Sequence, residues 1–290
     1  MHTQIEVRLD DDERAAADAA AVFTVFREVE STANEWLPGS ALAAVNAGAG
    51  GPTVPIPDDL RALLREGLDA SALTGGAFDV TWAALWGLWD WDRPVLPAQE
   101  AVADRLPHIG WARVELTEAG VRLPDAEMRI GLGGIAKGWA LDRAAEVLRA
   151  RGRDHFLLSA GGQVYAAGDY TVGIRDPRGD APFATLAVHD ASVSTSGDYE
   201  RFFLVDAVRY HHLLDPRTGW PARGLRSATV ICAEATLADA LSTAVMVLGP
   251  ERGLALAEDL PGVEAVLVGE DGRVYVTSAA PLVALRRATP

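Results

Sequence analysis

Only one cysteine, Cys232, occurs in these 290 residues, which excludes an internal disulfide. It sits in Ala228-Thr229-Val230-Ile231-Cys232-Ala233, an apolar run that reads as a buried strand, so the thiol is assigned to inert core packing. No run approaches the ~18 apolar residues of a membrane helix. Residues 1–10 alternate polar and apolar and lack a basic segment followed by an apolar one, so no export signal is expected and the chain reads as cytoplasmic. Basic residues are outnumbered: 26 Lys and Arg against 41 Asp and Glu leave a net charge of −15. A nucleic-acid partner is therefore not expected, because phosphate-backbone binding needs a basic stripe. The same charge repels an anionic nucleotide at long range, so a nucleotide substrate points to a bound cation. Fixed-period repeats and low-complexity linkers are missing as well.

What is present is an ordinary globular composition, 49% hydrophobic and 23% charged, which argues against disorder. Alternation over Gln4–Leu9 predicts a strand, and alanine-rich Asp11 to about Ala33 a helix that opens with acidic residues. Eight Gly and Pro positions between 34 and 57 predict a long loop. A second helix follows over Asp58 to about Ala72, with Leu60, Leu63, Leu64 and Leu68 on one face. Residues 112–130 suggest a hairpin and Lys137–Arg151 a helix. Short strands are expected at 155–159, 163–167, 170–175, 184–189, 191–196, 199–205 and 208–214. Strand 226–232, helices 235–248 and 250–258, and strands 263–268 and 273–277 complete an α+β chain, mostly antiparallel sheet with packed helices, taken as a single domain over 1–290.

Two segments carry the chemistry. Tyr210 to Gly219 places His212 three residues before Asp215, at a strand that ends in a Pro/Gly turn. Asp239 and Thr243 lie four apart on a helix and project from one face. A proton acceptor with a hard-oxygen cation site suits phosphoryl-group chemistry, and one carboxylate with one hydroxyl suits magnesium, which keeps waters and takes substrate phosphates. Each segment also has a plainer reading: a polar helix face for Asp239 and Thr243, a core imidazole for His212, a turn residue for Asp215. Gly131, Gly133 and Ala136 fit G-x-G-x-x-A, but no alternating βαβ pattern surrounds them, so a Rossmann unit is rejected. Glycines entering a helix still expose backbone amides to an anion. Four of the eight tryptophans, Trp82, Trp86, Trp89 and Trp91, crowd into ten residues and read first as packing, second as a platform for a flat ring.

In order, the chain shows Met1-His2-Thr3, Trp36 to Ser40 with Asn46 downstream, Thr74 to Asp79, Gly133 to Gly138 and Asp142-Arg143. Gly161-Gly162, Gly173 to Pro177, Ser194 to Tyr199, Tyr210 to Gly219 and Ala238 to Thr243 follow. That series resembles the ApbE family of flavin transferases, from Met1 to about residue 270. The resemblance implies an α+β fold of the T-fold type. It also implies a magnesium-dependent enzyme that cleaves FAD, transfers FMN to a Thr or Ser hydroxyl of an acceptor flavoprotein, and releases AMP. Carried over by position, Met1, Trp36, Ala77, Phe78, Asp79, Lys137, Asp142 and Leu213 would line the FAD site. Asp239, Thr243 and the backbone carbonyl near Gly134 would hold magnesium, and His212 would be the base, with Asp215 beside it. Three positions depart from the family pattern: Gly131 stands where Asp is usual, His2 where Gly is usual, and Ala41 where Glu commonly follows the serine. A hydrolase releasing FMN and AMP, and a protein that only binds FAD, are the rival expectations.

Overall fold

A computed structural model describes residues 3–289, so Met1 and the His2 departure lie outside the described residues. The chain divides into two compact units. The first holds the described residues up to Val29, then Ile135–Gly197 and the described residues from Arg223. The second comprises Glu30–Gly134 and Asp198–Ala222.

In the first unit, the expected alternating strand forms β1 (Ile5–Leu9) and pairs antiparallel with β4 (Phe156–Ala160). The sheet continues through β5 (Gln163–Arg175), β6 (Pro182–Gly197), β9 (Leu225–Cys232), β10 (Glu264–Gly269) and β11 (Val274–Val276), while β12 (Leu282–Leu285) adds to β6. Every pairing in this eight-stranded sheet is antiparallel. The two pairs of short strands expected at 163–175 and 184–196 are two long bent ones. The register shifts between Ala166 and Asp169, Gly168 takes a φ of 84° and Asp190 one of 45°, and the Gly168 N–H donates to Asp190 Oδ1 at 2.8 Å. A bulge of this kind bends a strand without ending it, and its polar residues mimic a turn signal.

Helix α5 (Ala136–Ala150), α1 (Ala15–Ala33) as far as Val29, and strands β4 and β5 share one core around Phe26, Leu141, Leu148, Phe156 and Leu158. A separate cluster of Ile174, Phe183, Leu186, Val193, Ile231 and Val266 draws on β5, β6, β9 and β10. Helix α6 (Ala235–Asp259) spans both helices expected after β9, and its kink lies at Gly249 (φ 78°, ψ −178°) before Pro250, which lacks the amide needed to continue the ladder. Cys232 is buried with its thiol pushed up to about 12 by burial, as core packing requires. Strand β12 went unpredicted.

The second unit contains α3 (Asp58–Leu73), as expected, and the hairpin β2 (Glu115–Thr117) with β3 (Gly120–Arg122) inside 112–130. It corrects the 34–57 loop: α2 (Ala41–Ala47) lies within it, its first turn capped by Ser40, whose Oγ accepts the Ala43 N–H at 3.0 Å. That Ser-apolar signal is outweighed by the surrounding Gly and Pro when only composition is read. A further short helix, α4 (Gln99–Arg105), was also unforeseen. Strands β7 (Phe202–Val205) and β8 (Val208–His211) form a two-stranded ribbon, so β8 ends three residues earlier than expected and His212 stands just past it.

Candidate active site

In the first unit the site is built on the packing of α5 against α6. A Cβ at Gly138 would lie 2.1 Å from the Ala235 carbonyl oxygen, so the two helices meet backbone to backbone and only glycine fits. No side chain at the α6 N-terminus caps it from within. Asp142 does so from α5, accepting the Ala235 and Thr236 amides at 2.8 Å each and the Thr236 hydroxyl at 2.5 Å. Burial pushes the Asp142 carboxyl above its ordinary value, with those donors opposing the shift.

One turn into α6, Asp239 is 3% exposed. Lys137 Nζ lies 2.8 Å from its Oδ1 and 3.1 Å from its Oδ2, and the Gly138 amide donates to Oδ2 at 3.1 Å. Lys137 is the chain's only lysine; every other residue among the 26 basic ones is arginine. Thr243, half-buried, follows one turn later on the same helix. Ser242 fastens this turn to β6: its hydroxyl donates to the Asp239 carbonyl at 2.9 Å and lies 2.8 Å from Ser196 Oγ and 3.3 Å from Ser194 Oγ. Gln163, fully buried, donates to the Ala235 carbonyl at 2.7 Å and ties the start of α6 to β5.

This donor set fits a hard cation. Among the described residues no group of three or more His, Cys, Asp or Glu side chains gathers into a metal cage. One buried carboxylate with a hydroxyl one turn on is the sparse set that suits magnesium, and the carboxylate already holds a positive charge, the Lys137 ammonium.

In the second unit, Trp36 is 66% exposed and leans on Trp86, ring centroids 4.3 Å apart, and Trp86 meets Trp82 edge-on at 6.4 Å. Ala77, Phe78 and Asp79 are buried. Asp79 opens the 3-10 turn Val80–Leu85, its Oδ1 accepting the Thr81 amide at 2.8 Å and hydroxyl at 2.6 Å, while Oδ2 accepts the Trp111 amide at 3.2 Å. Burial raises its carboxyl above the ordinary range. Asn46 clamps the strand-like segment that leads to Gly134: its amide donates to the Ile130 carbonyl and its Oδ1 accepts the Ile130 N–H, both at 2.8 Å. Trp89, read first as packing, is buried against Trp91 (5.3 Å, 2°), Phe203, Tyr210 and Trp220.

At the end of β8, His211 is buried with Nε2 2.9 Å from the Ala222 carbonyl, while His212, just past the strand, is half-buried and its amide donates to the Arg201 carbonyl at 3.0 Å. Leu213 is buried. Asp215 is committed to a turn: its carboxylate takes both arms of the Arg217 guanidinium at 2.8 Å, and its carbonyl accepts the Gly219 amide at 2.8 Å. Lys137, Asp142, Asp239 and Thr243 thus stand together on α5 and α6. Trp36, Ala77, Phe78, Asp79, Gly134, His212, Leu213 and Asp215 belong to the second unit. The roles of Gly138, Ser196 and Ser242 were not read from sequence; all three lie in quoted motifs, but a helix contact and a hydroxyl chain between distant segments leave no local signature.

The ApbE family profile matches residues 1–267. The chain belongs to the ApbE family. A relative from Treponema pallidum named FAD:protein FMN transferase is 38% identical over 91% of this chain and 82% of its own length. One of the same name from Rhodobacter capsulatus is 33% identical over 91% of this chain, which spans about half, 53%, of that protein. The crystal structure of the ApbE protein from Thermotoga maritima superposes with a TM-score of 0.86 at 32% identity, covering 95% of this chain and 93% of that one.

Within this ApbE chain the Gly131 departure has a steric reason. A Cβ there would come within 2.9 Å of Trp82 Nε1 and 3.1 Å of Ala83 Cβ, while the Trp82 indole N–H donates to the Gly131 carbonyl at 3.2 Å. An aspartate has no room unless Trp82 moves.

Proposed function

We propose that this chain is a magnesium-dependent FAD:protein FMN transferase, moving FMN from FAD onto a Thr or Ser hydroxyl of an acceptor flavoprotein. The acceptor oxygen bonds to the FMN phosphorus, the diphosphate P–O bond breaks, and AMP leaves. Family membership and the names of its relatives support the reaction class. The observation that carries the reading onto this chain is the buried Asp239 carboxylate, already neutralised by a cation, one turn before Thr243. Asp239, Thr243 and the carbonyl near Gly134 would hold magnesium, which when bound offsets charge on the diphosphate that a chain of −15 would otherwise repel.

The protein's own groups divide the remaining work. His212 takes the proton of the acceptor hydroxyl, a weak nucleophile at neutral pH, as the new P–O bond forms. Asp215, locked to Arg217, holds the turn that presents His212. Asp142 holds α6, and with it Asp239 and Thr243, at a set position against α5. Trp36 offers an exposed indole to a flat ring of FAD, with Ala77, Phe78, Asp79 and Leu213 assigned to the same ligand.

The test is incubation with FAD, MgCl2 and a candidate acceptor, followed by flavin fluorescence on a denaturing gel. A fluorescent acceptor band is expected. Free FMN and AMP without a band would replace the transferase with a hydrolase, and bound but unconverted FAD would leave only a flavin binder.

A further inference from the structure

We propose that Lys137 is a resident counter-ion for Asp239, which yields its place when the metal and the FAD diphosphate arrive and then faces the diphosphate. The inference rests on the magnesium-dependent reading above. It starts from the fact that both oxygens of a carboxylate 3% exposed are already engaged by one ammonium, at 2.8 and 3.1 Å. An isolated charge at that depth is strongly unfavourable, so the ligand-free protein needs a partner for Asp239. A dication and an ammonium on the same carboxylate repel each other, so one displaces the other.

The choice of residue supports exchange over permanent pairing. This chain uses arginine for every basic position except 137. An arginine fork would grip a carboxylate bidentately, as Arg217 grips Asp215. A lysine is a compact point charge on a flexible stem and rehydrates readily on leaving. The other partner of the carboxylate, the Gly138 amide, cannot leave, because α5 and α6 touch at that glycine. Lys137 also sits in the first turn of the 15-residue α5, whose positive end favours a phosphate. The displaced ammonium adds its charge there. FAD and the metal should consequently bind with positive coupling, each easing the removal of Lys137 for the other.

Calorimetry with MgCl2 on the FAD-free protein tests this. Lys137→Met should bind Mg2+ about tenfold more tightly than the native chain, within the usual range of such couplings, whereas Lys137→Arg should bind it no more tightly. An unchanged or weaker affinity in a folded Lys137→Met protein would overturn the proposal. Should that variant fail to fold, the native chain decides: [15N]lysine labelling yields one Nζ resonance, which should move when MgCl2 and FAD are added together. A resonance that stays fixed while FMN transfer proceeds would sink the exchange and spare the transferase reading. Absence of Mg2+ binding to every form, with or without FAD, would sink both.

Discussion

The residues proposed to meet FAD are built in two different ways. On α5 and α6 the polar groups are buried or half-buried and paired: Lys137 with Asp239, Asp142 with the α6 amides, Ser242 with Ser194 and Ser196. Around Trp36 the principal surface is an open indole resting on other indoles. A charged diphosphate and its cation need dipoles and counter-charges fixed in advance, because reorganising them in a buried place is costly. A flat ring needs only area, so its platform tolerates exposure. Damage to the first region should therefore be severe and specific, and damage to the second graded.

The largest loss is expected from Asp239→Ala, which removes the buried carboxylate and should reduce FMN transfer by more than loss of the base, with magnesium dependence weakened or abolished. Full activity with unchanged magnesium dependence would refute the role assigned to Asp239. Next comes His212→Ala, where turnover should fall roughly 10²–10⁴-fold while FAD affinity, measured by fluorescence quenching, stays near native. An equal loss of FAD binding would make His212 a structural residue instead.

Asp142→Ala should lower unfolding stability by about 0.5–2 kcal/mol, the usual range for a lost helix cap, read by chemical denaturation. An unaltered midpoint would show that the α6 amides find other partners. Trp36→Ala should weaken FAD binding by about 0.5–1.5 kcal/mol, the range of aromatic stacking contributions, and leave stability unchanged. A collapse of stability would move Trp36 from the platform to the core.

The smallest effect tests the scaffold away from both regions. Arg153 donates to both oxygens of Asp12 at 2.8 and 2.6 Å and holds its carboxyl down at about 2. A carboxyl lowered by folding contributes stability above its unfolded value, about 3.9, and loses that contribution as pH falls toward 2. Asp12→Asn should flatten the decline in stability between about pH 4 and pH 2. A decline as steep as the native one would place the acid sensitivity elsewhere, Asp18 with Arg151 and Arg153 being the adjacent pair.

Strands and helices with one dominant period were legible. Apolar positions of β1, α3 and α5 recur at the spacing of their element, so binary pattern and element agree, and β9 was legible as a short apolar run. The bulged strands β5 and β6 were read as fragments because Gly168 and Asp190 are turn residues locally and become strand interior only through their partners across the sheet. Helix α2 was hidden among glycines and prolines, and β12 leans on β6 from a distance in sequence that no local period reveals.

Composition and motif order determined the chemistry to look for: no disulfide, no basic stripe, a carboxylate and hydroxyl four apart on one helix face, a histidine at a strand end. Tertiary structure decided what those groups are attached to. It set Lys137 against Asp239 across 102 positions of chain, turned Asp142 into the cap of another helix, and filled the space at Gly131 with Trp82. Periodicity is a property of neighbours along the chain, whereas ion pairs, caps and steric exclusion depend on which distant segments the core brings into contact.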